Sequence, residues 1–465
     1  MINTLITGVT GQDGSNMVRF LLKNTNHNIF GTVRRISVEN HENIEDIKEH
    51  ERFKLIYLDL SDQQSIFNNI KKLLPRYVIN FAAQSFVGVS WDTPIQTFTV
   101  NTLSVMYFLE AIKEFCPTSR FYSAGSSEEF GDVIYSPQDI HHPLRPRSPY
   151  AASKCAARHI VKVYRDSYDL FAIHCILFNH EGIRRGKEFV TRKITSNISR
   201  IKKNIDEGKE IIPFELGNIN SCRDWSDSED FVEAVWLMLN QDTPREYILS
   251  SNETHTIKEF IELSCKYADL DYKWVITDNE LDTQLIVDNQ VIMKINKKFY
   301  RPAEVDLLLG DSLETRKILN WEPKVSFEEL VKKMTYHDLS LLNIPIVKKP
   351  IINKIEKLIN CRLCNSNNIK TSINLGQSVY SGIFQNLTSE KIPKVNISLC
   401  KCMECGLVQL YDIFDIEYMY GETYGYRSGL NKSMVEHLTN FVREIESIVN
   451  IEENDNILDL SLIHI

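Results

Sequence analysis

Residues 4–15 read TLITGVTGQDGS, an apolar stretch that runs directly into a turn containing Gly8, Gly11 and Gly14. Glycines let a backbone turn tightly and approach a phosphate closely, and the first turn of a helix offers unpaired N–H groups and a positive dipole end. The spacing is GxxGxxG, and a helical pattern follows it. This strand–turn–helix order predicts a dinucleotide site at the start of a Rossmann-type fold, with a plain tight turn as the alternative.

Outward from this turn, short apolar runs alternate with helical patterns through residues 1–180. The strand candidates are INTLITGV, HNIFGTV, FKLIYLDL, YVINFAA, SRFYSAG and FAIHCILF. Such alternation predicts an α/β fold with a doubly wound parallel sheet covered by helices on both faces. Residues 181–340 are less regular, with helices expected at 228–241 and 256–268, and we assign them to a smaller α/β substrate domain.

Length and composition limit the functions that are open to the chain. Its 465 residues are too many for one ordinary domain. A formal net charge of −9 argues against nucleic-acid binding, and no apolar run reaches the 18–20 residues or so of a membrane span. The amino terminus shows no secretory signal. We therefore expect a cytoplasmic protein without nucleic-acid or membrane partners.

A second stretch, SPYAASK at 148–154, places Tyr150 and Lys154 one helical turn apart. Ser148 is a plausible N-cap for that helix. An ammonium group lowers the pKa of a neighbouring tyrosine, so we predict that Tyr150 acts as a base near neutral pH. Lys154 can also hold a nicotinamide ribose.

The stretch SAGSSEEFG at 123–131 ends the fifth strand candidate. Ser126 is placed to hydrogen-bond the reacting oxygen. Glu128 is an additional carboxylate for which plain hydride transfer has no use. Its neighbour Glu129 is expected to be a surface residue.

Two arginines, Arg34 and Arg35, follow the second strand candidate, where NAD enzymes usually carry an acidic residue. They favour NADP, because guanidinium groups pair with a 2′-phosphate, although two solvated arginines are the alternative. The predicted cofactor contacts in the first half of the chain are Gly8, Thr10, Gly11, Gln12, Asp13, Gly14, Arg34, Arg35, Asp59, Leu60, Phe81, Ala82, Ala83, Gln84, Ser85 and Lys154.

The glycine turn, Ser126 and the Tyr-x-x-x-Lys pair together resemble the extended short-chain dehydrogenase/reductase superfamily. Within it, Ser–Ser–Glu at 126–128 resembles the Thr–Ser–Glu site of the GDP-mannose 4,6-dehydratases. The segments ILFNHEGIRRGKEFVTRKI (176–194), LGN (216–218), RDW (223–225) and YRPAEVDLLLGD (300–311) resemble the same family. The chain departs from the family pattern at Gly125, Phe130 and Gln96, where the family has serine, tyrosine and often tyrosine.

The resemblance implies a role for each matching residue. Glu128 would be the base at C5 of the sugar, Tyr150 the base at the C4 hydroxyl and Lys154 the cofactor lysine, while Ser126 replaces the family threonine. Two further residues, His180 and Arg185, match positions near the cofactor. The positions that match the nucleotide-sugar pocket or carry basic groups for its diphosphate are Asn179, Val190, Lys193, Arg223 and Arg301.

The resemblance implies a hydro-lyase that converts GDP-α-D-mannose to GDP-4-dehydro-6-deoxy-α-D-mannose and water through tightly bound NADP, in nucleotide-sugar biosynthesis. It also implies a homodimer or homotetramer, because in the family the loop corresponding to Arg34 and Arg35 reaches the neighbouring subunit's cofactor. Three alternatives remain: a dehydratase for another GDP-sugar such as a GDP-heptose, a related NADP-dependent epimerase or reductase, and a scaffold that only binds a nucleotide sugar.

The carboxyl-terminal part has a different character. Residues 341–360 are predicted to be a linker, and CRLC (361–364) and CMEC (402–405) form two CxxC pairs. Four thiolates at Cys361, Cys364, Cys402 and Cys405 predict a structural zinc site, with redox dithiols or inert cysteines as alternatives.

This module, residues 361–425, resembles the zinc-binding part of sugar C-methyltransferases. The resemblance rests on CRLC, NLGQSVYSGIF, SLCKCMECGLVQL and ETYGYRSGLNKSM. Residues 426–465 would then be the start of an incomplete methyltransferase domain, with NILDL (456–460) as its first strand. We expect no methyltransferase activity from this chain.

Overall fold

The computed structural model describes residues 2–35, 40–276, 280–300, 307–344, 356–379, 394–413, 439–440 and 443. The chain divides into two compact units, Met1–Val347 and Lys348–Ile465. Among the described residues, the structure contains no helix with the length and apolar character that a membrane crossing requires.

A seven-stranded parallel sheet organises the first unit. Numbered along the chain, its strands lie in the order 3-2-1-4-5-6-7, and every neighbouring pair is parallel. The strands are Asn3–Thr7, Asn28–Val33, Phe53–Tyr57, Tyr77–Asn80, Arg120–Ala124, Phe171–Leu177 and Glu246–Leu249. The six strands expected within residues 1–180 are all present, which confirms the predicted fold class. The seventh, with the sequence EYIL, comes from beyond residue 180.

Helices cover both faces of this sheet. Successive side chains of a strand point to opposite faces, so Leu5 and Ile6 enter different cores. The helices Gln12–Asn24 and Ser228–Leu239 pack on the face of Ile6. The helices on the face of Leu5 are Gln63–Leu73, Ser104–Phe115 and Pro149–Tyr168. Burial on both faces explains why these strands read as continuous apolar runs.

A smaller sheet and three helices form a second part of the first unit, which we call the smaller part. Its strands lie in the order Tyr272–Val275, Gln284–Val287, Gln290–Ile295 and Phe214–Leu216. The helices Val190–Asp206, Ile257–Tyr267 and Phe327–Leu341 share one apolar core with this sheet. The turn between the two central strands uses Asp288 and Asn289 at φ of 48° and 62°, the left-handed region favoured in tight hairpins.

Shorter elements complete the unit. The strands Asn179–Glu181 and Trp225–Asp227 pair in parallel, and Cys222–Arg223 lies between His255–Thr256 and Leu307–Leu308. Two further helices are Pro94–Phe98 and Leu313–Leu319, and a π-helical turn spans Thr99–Leu103. The 3-10 turns are Glu42–Ile44, Gly88–Trp91, Ser127–Glu129, Glu280–Asp282 and Lys297–Phe299.

The second unit contains a small antiparallel sheet. Its strands are Ile369–Val379, Lys394–Cys402 and Val408–Leu410, and Glu356–Lys357 pairs with Asp412–Ile413. The proposed start of a methyltransferase domain at 426–465 falls outside the described residues, apart from residues 439, 440 and 443, which are helical.

One buried ion pair connects two helices of the smaller part. Arg192, near the start of Val190–Asp206, contacts Asp338 of Phe327–Leu341 through two nitrogens, with Nη2–Oδ1 at 2.6 Å and Nε–Oδ1 at 2.9 Å. Both side chains are 4% exposed, and the hydroxyl of Thr195 donates to the same carboxylate at 2.6 Å. Arg192 also donates to the carbonyl oxygen of Ile183. The pair therefore holds the backbone around residue 183 against both helices.

The variant Asp338→Asn should lower the free energy of unfolding by about 3–5 kcal/mol, because it leaves the Arg192 charge buried without its counter-ion. Asp166→Asn is the matched control, since it breaks the exposed pair with Lys162 and should leave the free energy of unfolding nearly unchanged. Urea unfolding followed by tryptophan fluorescence measures both. Equal effects of the two variants on the free energy of unfolding would contradict the role of the buried Arg192–Asp338 pair.

Candidate active site

The glycine turn brings two strand ends close together. Gly8 has a φ of +72°, and its carbonyl oxygen accepts a hydrogen bond from Gly11 N at 2.9 Å. A Cβ on Gly14 would overlap that carbonyl, and a Cβ on Gly8 would lie 3.0 Å from Ala82 N. The helix Gln12–Asn24 starts here with Gly11 as N-cap and without a side-chain cap. This cradle and open helix end suit a pyrophosphate.

A cavity of about 1220 Å³ opens at this turn. Most predicted cofactor contacts line it, namely Gly8, Thr10, Gly11, Gln12, Asp13, Gly14, Arg34, Asp59, Leu60, Phe81, Ala82, Ala83, Gln84, Ser85 and Arg185. Arg35 is exposed and is not among the lining residues, whereas Lys154 and His180 line a neighbouring cavity. Sequence reasoning missed Asn43 and Arg184, although the adjacent arginines of IRRG were a visible signal.

His180 joins the strand Asn179–Glu181 to the first helix. Its Nε2 lies 2.9 Å from Asp13 Oδ2, and Gln12 Nε2 donates to its carbonyl oxygen at 3.0 Å. Burial lowers the pKa of His180, but the carboxylate of Asp13 raises it more, so the net direction is upward. The glycine turn is therefore held in place from the substrate side of the fold.

A second cavity, of about 630 Å³, adjoins the first. It brings together the four predicted catalytic residues Ser126, Glu128, Tyr150 and Lys154. The predicted substrate residues Asn179, Val190, Lys193 and Arg223 line it as well, while Arg301 lies outside the described residues. The residues that line both cavities are Asp13, Phe81, Ala83, Ser85, Arg185, Glu188 and Phe189. A molecule in one cavity can therefore contact a molecule in the other.

The helix Pro149–Tyr168 positions Tyr150 and Lys154. Ser148 caps it as the sequence predicted, accepting a hydrogen bond from Ala151 N at 3.1 Å. Lys154 Nζ lies 5.9 Å from the ring centroid of Tyr150 and donates to the carbonyl oxygen of Ala124 at 2.7 Å. Burial lowers the pKa of Lys154 to about 8.

The predicted effect of Lys154 on Tyr150 is wrong for this arrangement. Burial raises the pKa of Tyr150 to about 12, the hydrogen bond with Ser126 lowers it, and the charge of Glu128 raises it further. The ammonium of Lys154 is directed to a backbone carbonyl instead. Tyr150 consequently holds its proton strongly until additional positive charge enters the site.

Ser126 begins the 3-10 turn that carries Glu128. Its side chain accepts a hydrogen bond from Glu128 N at 3.3 Å, and Glu129 Oε1 accepts one from Ser126 N at 2.8 Å. This capping box turns the Glu129 side chain back under the turn. The expectation that Glu129 is a surface residue is therefore wrong, since its side chain is 0% exposed.

Asn101 connects a loop of the first cavity to a helix of the second, and the sequence did not predict it. It lies in the π-helical turn Thr99–Leu103 and is buried. Its Oδ1 accepts from Gln84 N at 2.8 Å, and its Nδ2 donates to Ser153 Oγ at 3.0 Å. A single amide thus joins the loop of the first cavity to the helix that carries Tyr150.

Basic groups gather at the far side of the second cavity. Lys193 Nζ donates to the carbonyl oxygen of Glu215 at 2.6 Å and lies 4.0 Å from the ring centroid of Phe299. Burial lowers the pKa of Lys193. Arg223 is 7% exposed, and Lys298 lines the same cavity. Phe299 was not predicted, because nothing in its local sequence marks it.

The second unit contains the four predicted cysteines in one cluster. Their sulfur atoms all lie within 4.8 Å of one another, with Cys361 Sγ–Cys405 Sγ at 3.6 Å and Cys364 Sγ–Cys402 Sγ at 3.5 Å. Tetrahedral zinc with Zn–S bonds of about 2.3 Å holds its sulfurs at about this separation. Amide N–H groups, first that of Cys364, lower the pKa of Cys361 to about 6.

The two CxxC turns share one backbone geometry. The carbonyl oxygen of Cys361 accepts from Asn365 N at 2.9 Å, and that of Cys402 accepts from Gly406 N at 3.0 Å. Asn365 and Gly406 have φ of 57° and 77°. Matching turns that present four thiols to a common centre fit a structural zinc ion.

Comparison with known proteins identifies the family. The family model described as GDP-mannose 4,6 dehydratase matches residues 5–334, and a model described as "Putative zinc binding domain" matches residues 361–420. A GDP-mannose 4,6 dehydratase of Drosophila melanogaster is 42% identical over 359 residues, which cover 75% of this chain and 87% of the relative. The Dictyostelium discoideum enzyme of the same name is 40% identical over 348 residues, or 73% and 96% of the two chains.

Solved structures support the fold. The dTDP-glucose 4,6-dehydratase from Bacillus anthracis, in complex with NAD, aligns with a TM-score of 0.58 at 20% identity, covering 72% of this chain and 96% of that one. The chain belongs to the GDP-mannose 4,6-dehydratase family, as the sequence resemblance predicted. The predicted enzyme class, a hydro-lyase, is confirmed with it.

We expect the purified protein to contain about one zinc ion per chain and Cys402→Ser to lose it, because three thiolates and a hydroxyl bind zinc far more weakly. Cys400→Ser is the matched control, since Cys400 lies two residues away in the same strand and outside the cluster. Elemental analysis after gel filtration gives the zinc content. Zinc retained by Cys402→Ser would contradict the assignment.

Proposed function

We propose that this chain is an NADP-dependent GDP-mannose 4,6-dehydratase, which converts GDP-α-D-mannose to GDP-4-dehydro-6-deoxy-α-D-mannose and water. One observation carries the proposal. In a chain of this family, Glu128 shares a cavity with Ser126, Tyr150 and Lys154, and that cavity adjoins the one at the glycine turn. Plain hydride transfer requires the last three residues and has no use for a carboxylate at position 128.

The proposed oxidation begins at the C4 hydroxyl of the sugar. Tyr150 accepts the hydroxyl proton, Ser126 hydrogen-bonds the oxygen as it becomes a carbonyl, and Lys154 would hold the nicotinamide ribose. The residues of the first cavity would hold NADP, which would supply the hydride acceptor for C4 and the hydride donor for C6, and its oxidised form would add a positive charge to the site. That charge counteracts the burial that raises the pKa of Tyr150.

Glu128 performs the elimination in this proposal. A ketone at C4 acidifies the C5 proton, so the carboxylate of Glu128 can remove it. The carboxylic acid so formed then gives a proton to the departing C6 hydroxyl, which leaves as water. Because the same group takes and returns one proton, it finishes this step as the carboxylate with which it started. Hydride addition at C6 then leaves a carbanion at C5, conjugated with the C4 ketone. The proton that Tyr150 took from the C4 hydroxyl passes to C5, so Tyr150 is restored as well, and in deuterated water that exchangeable proton is a deuteron.

Basic side chains of the second cavity would hold the substrate's diphosphate. Arg185, Lys193 and Arg223 line that cavity together and offer N–H donors to phosphate oxygens. A homodimer or homotetramer and the exclusion of nucleic-acid partners stay part of the proposal. A GDP-heptose remains the second candidate substrate, because Gly125 and Gln96 depart from the family pattern.

The central experiment uses GDP-mannose in deuterated water, with the sugar followed by NMR and mass spectrometry. We expect loss of one water and deuterium at C5 with the wild type, and a rate loss of about 10²- to 10⁴-fold in Glu128→Gln. Glu210→Gln is the control, because Glu210 is exposed and lines neither cavity. Conversion at the wild-type rate by Glu128→Gln would remove the proposed role of this carboxylate.

Cofactor preference provides an independent test. Arg34 lines the first cavity and Arg35 does not, so Arg34→Ala should weaken NADPH binding about ten- to a hundredfold while leaving NADH binding unaltered. Arg245→Ala is the control and should change neither, because Arg245 is exposed and lines neither cavity. Fluorescence titration of both nucleotides gives the dissociation constants. A similar loss for NADH and NADPH in Arg34→Ala would count against a 2′-phosphate contact.

A further inference from the structure

A buried acid–base pair lies next to the catalytic turn, and the proposed reaction does not use it. The side chains of Glu129 and His174 are both 0% exposed, with Glu129 Oε1 and His174 Nε2 at 3.0 Å. Within the described part of the chain, Glu129 Oε2 and His174 Nδ1 have no hydrogen-bond partner. Burying such polar atoms unpaired is costly, so a functional gain is needed to explain them.

Gly125 makes room for this pair. A Cβ at position 125 would lie 2.5 Å from His174 Nε2 and 2.7 Å from Glu129 Oε1. Gly125 N also donates to the carbonyl oxygen of Cys175 at 2.7 Å, which fixes the backbone here. The residue that departs from the family serine is therefore the one on which Glu129 and His174 pack.

The carboxylate of Glu129 contacts the catalytic turn directly. Its Oε1 accepts from Ser126 N at 2.8 Å, and the Ser126 side chain in turn accepts from Glu128 N at 3.3 Å. The thiol of Cys155, the residue after Lys154, donates to the Glu129 carbonyl oxygen at 3.6 Å. Glu129 thus connects the turn of Glu128 to the helix of Lys154.

Its charge also acts on the reacting groups. Burial raises the pKa of Tyr150 and lowers that of Lys154, and the negative charge of Glu129 acts upward on both pKa values. The other titratable groups that sense Glu129 are Cys155, Cys175 and Arg158. The remaining charges that face Tyr150 or Lys154 are Glu128, Arg185 and Asp13, and Glu246 neutralises Arg158.

We infer that Glu129 is a positioning residue for the proposed reaction: it fixes the turn of Ser126 and Glu128 by hydrogen bonding and supplies a negative charge next to Tyr150 and Lys154, while His174 orients its carboxylate. This inference rests on the proposed function. Glu128 acts on the sugar, whereas Glu129 holds the turn of Glu128 in position and places its charge next to Tyr150 and Lys154.

The test compares the pH dependence of kcat for GDP-mannose in the wild type, Glu129→Gln and Glu129→Asp, with Glu210→Gln as control. Glutamine keeps an oxygen acceptor for Ser126 N but removes the charge. Loss of a negative charge lowers the pKa of its neighbours, so both limbs of the profile should move to lower pH, with less than about a tenfold loss at the plateau.

Aspartate keeps the charge, but its side chain is one methylene shorter and cannot reach Ser126 N. Its profile should keep the wild-type limbs while kcat falls about ten- to a hundredfold and NADPH binding by fluorescence stays unchanged. Circular dichroism establishes that each variant is folded. If Glu129→Gln does not fold, Glu129→Asp decides the positioning role by itself.

The outcomes separate the two hypotheses. If the wild type does not convert GDP-mannose, the proposed function fails and the inference falls with it. If the wild type is active and folded Glu129→Gln keeps both limbs in place, the charge has no role and the inference is wrong. Wild-type kcat in Glu129→Asp would overturn the positioning role.

Discussion

The arrangement of both cavities depends on one close contact, the packing of Gly14 against the carbonyl of Gly8. Because neither residue has a side chain, the first helix starts directly at the end of the first strand. The carboxylate of Asp13, in that helix, then contacts His180 in the strand Asn179–Glu181. The glycine turn and the link between the two cavities thus depend on the same close contact.

The sequence predicts most of the large sheet because its strands are buried on both faces and therefore appear as apolar runs. The strand Glu246–Leu249 was missed because it lies beyond residues 1–180, outside the regular alternation of strands and helices. The four catalytic candidates were found because each belongs to a local motif. Glu129 was misjudged because its partner His174 is 45 residues away, and the direction of the Tyr150 pKa depends on a burial that no local pattern shows.

The second unit shows the complementary case. Two CxxC pairs are visible in the sequence because each pair sits in a single turn with its own positive-φ residue, Asn365 or Gly406. The strand Ile369–Val379 is largely exposed and pairs antiparallel with its neighbour, and its pattern is too weak to predict. The cysteine cluster can therefore be identified from local sequence, whereas the candidate active site of the first unit is completed by contacts between residues far apart in the chain.

The fit of Gly125 between Glu129 and His174 has an evolutionary consequence. A larger residue at position 125 collides with both partners, and a smaller residue at 129 or 174 leaves a void under the catalytic turn. Positions 125, 129 and 174 should therefore coevolve. In related sequences they should change together, and a substitution at only one of them should be disfavoured.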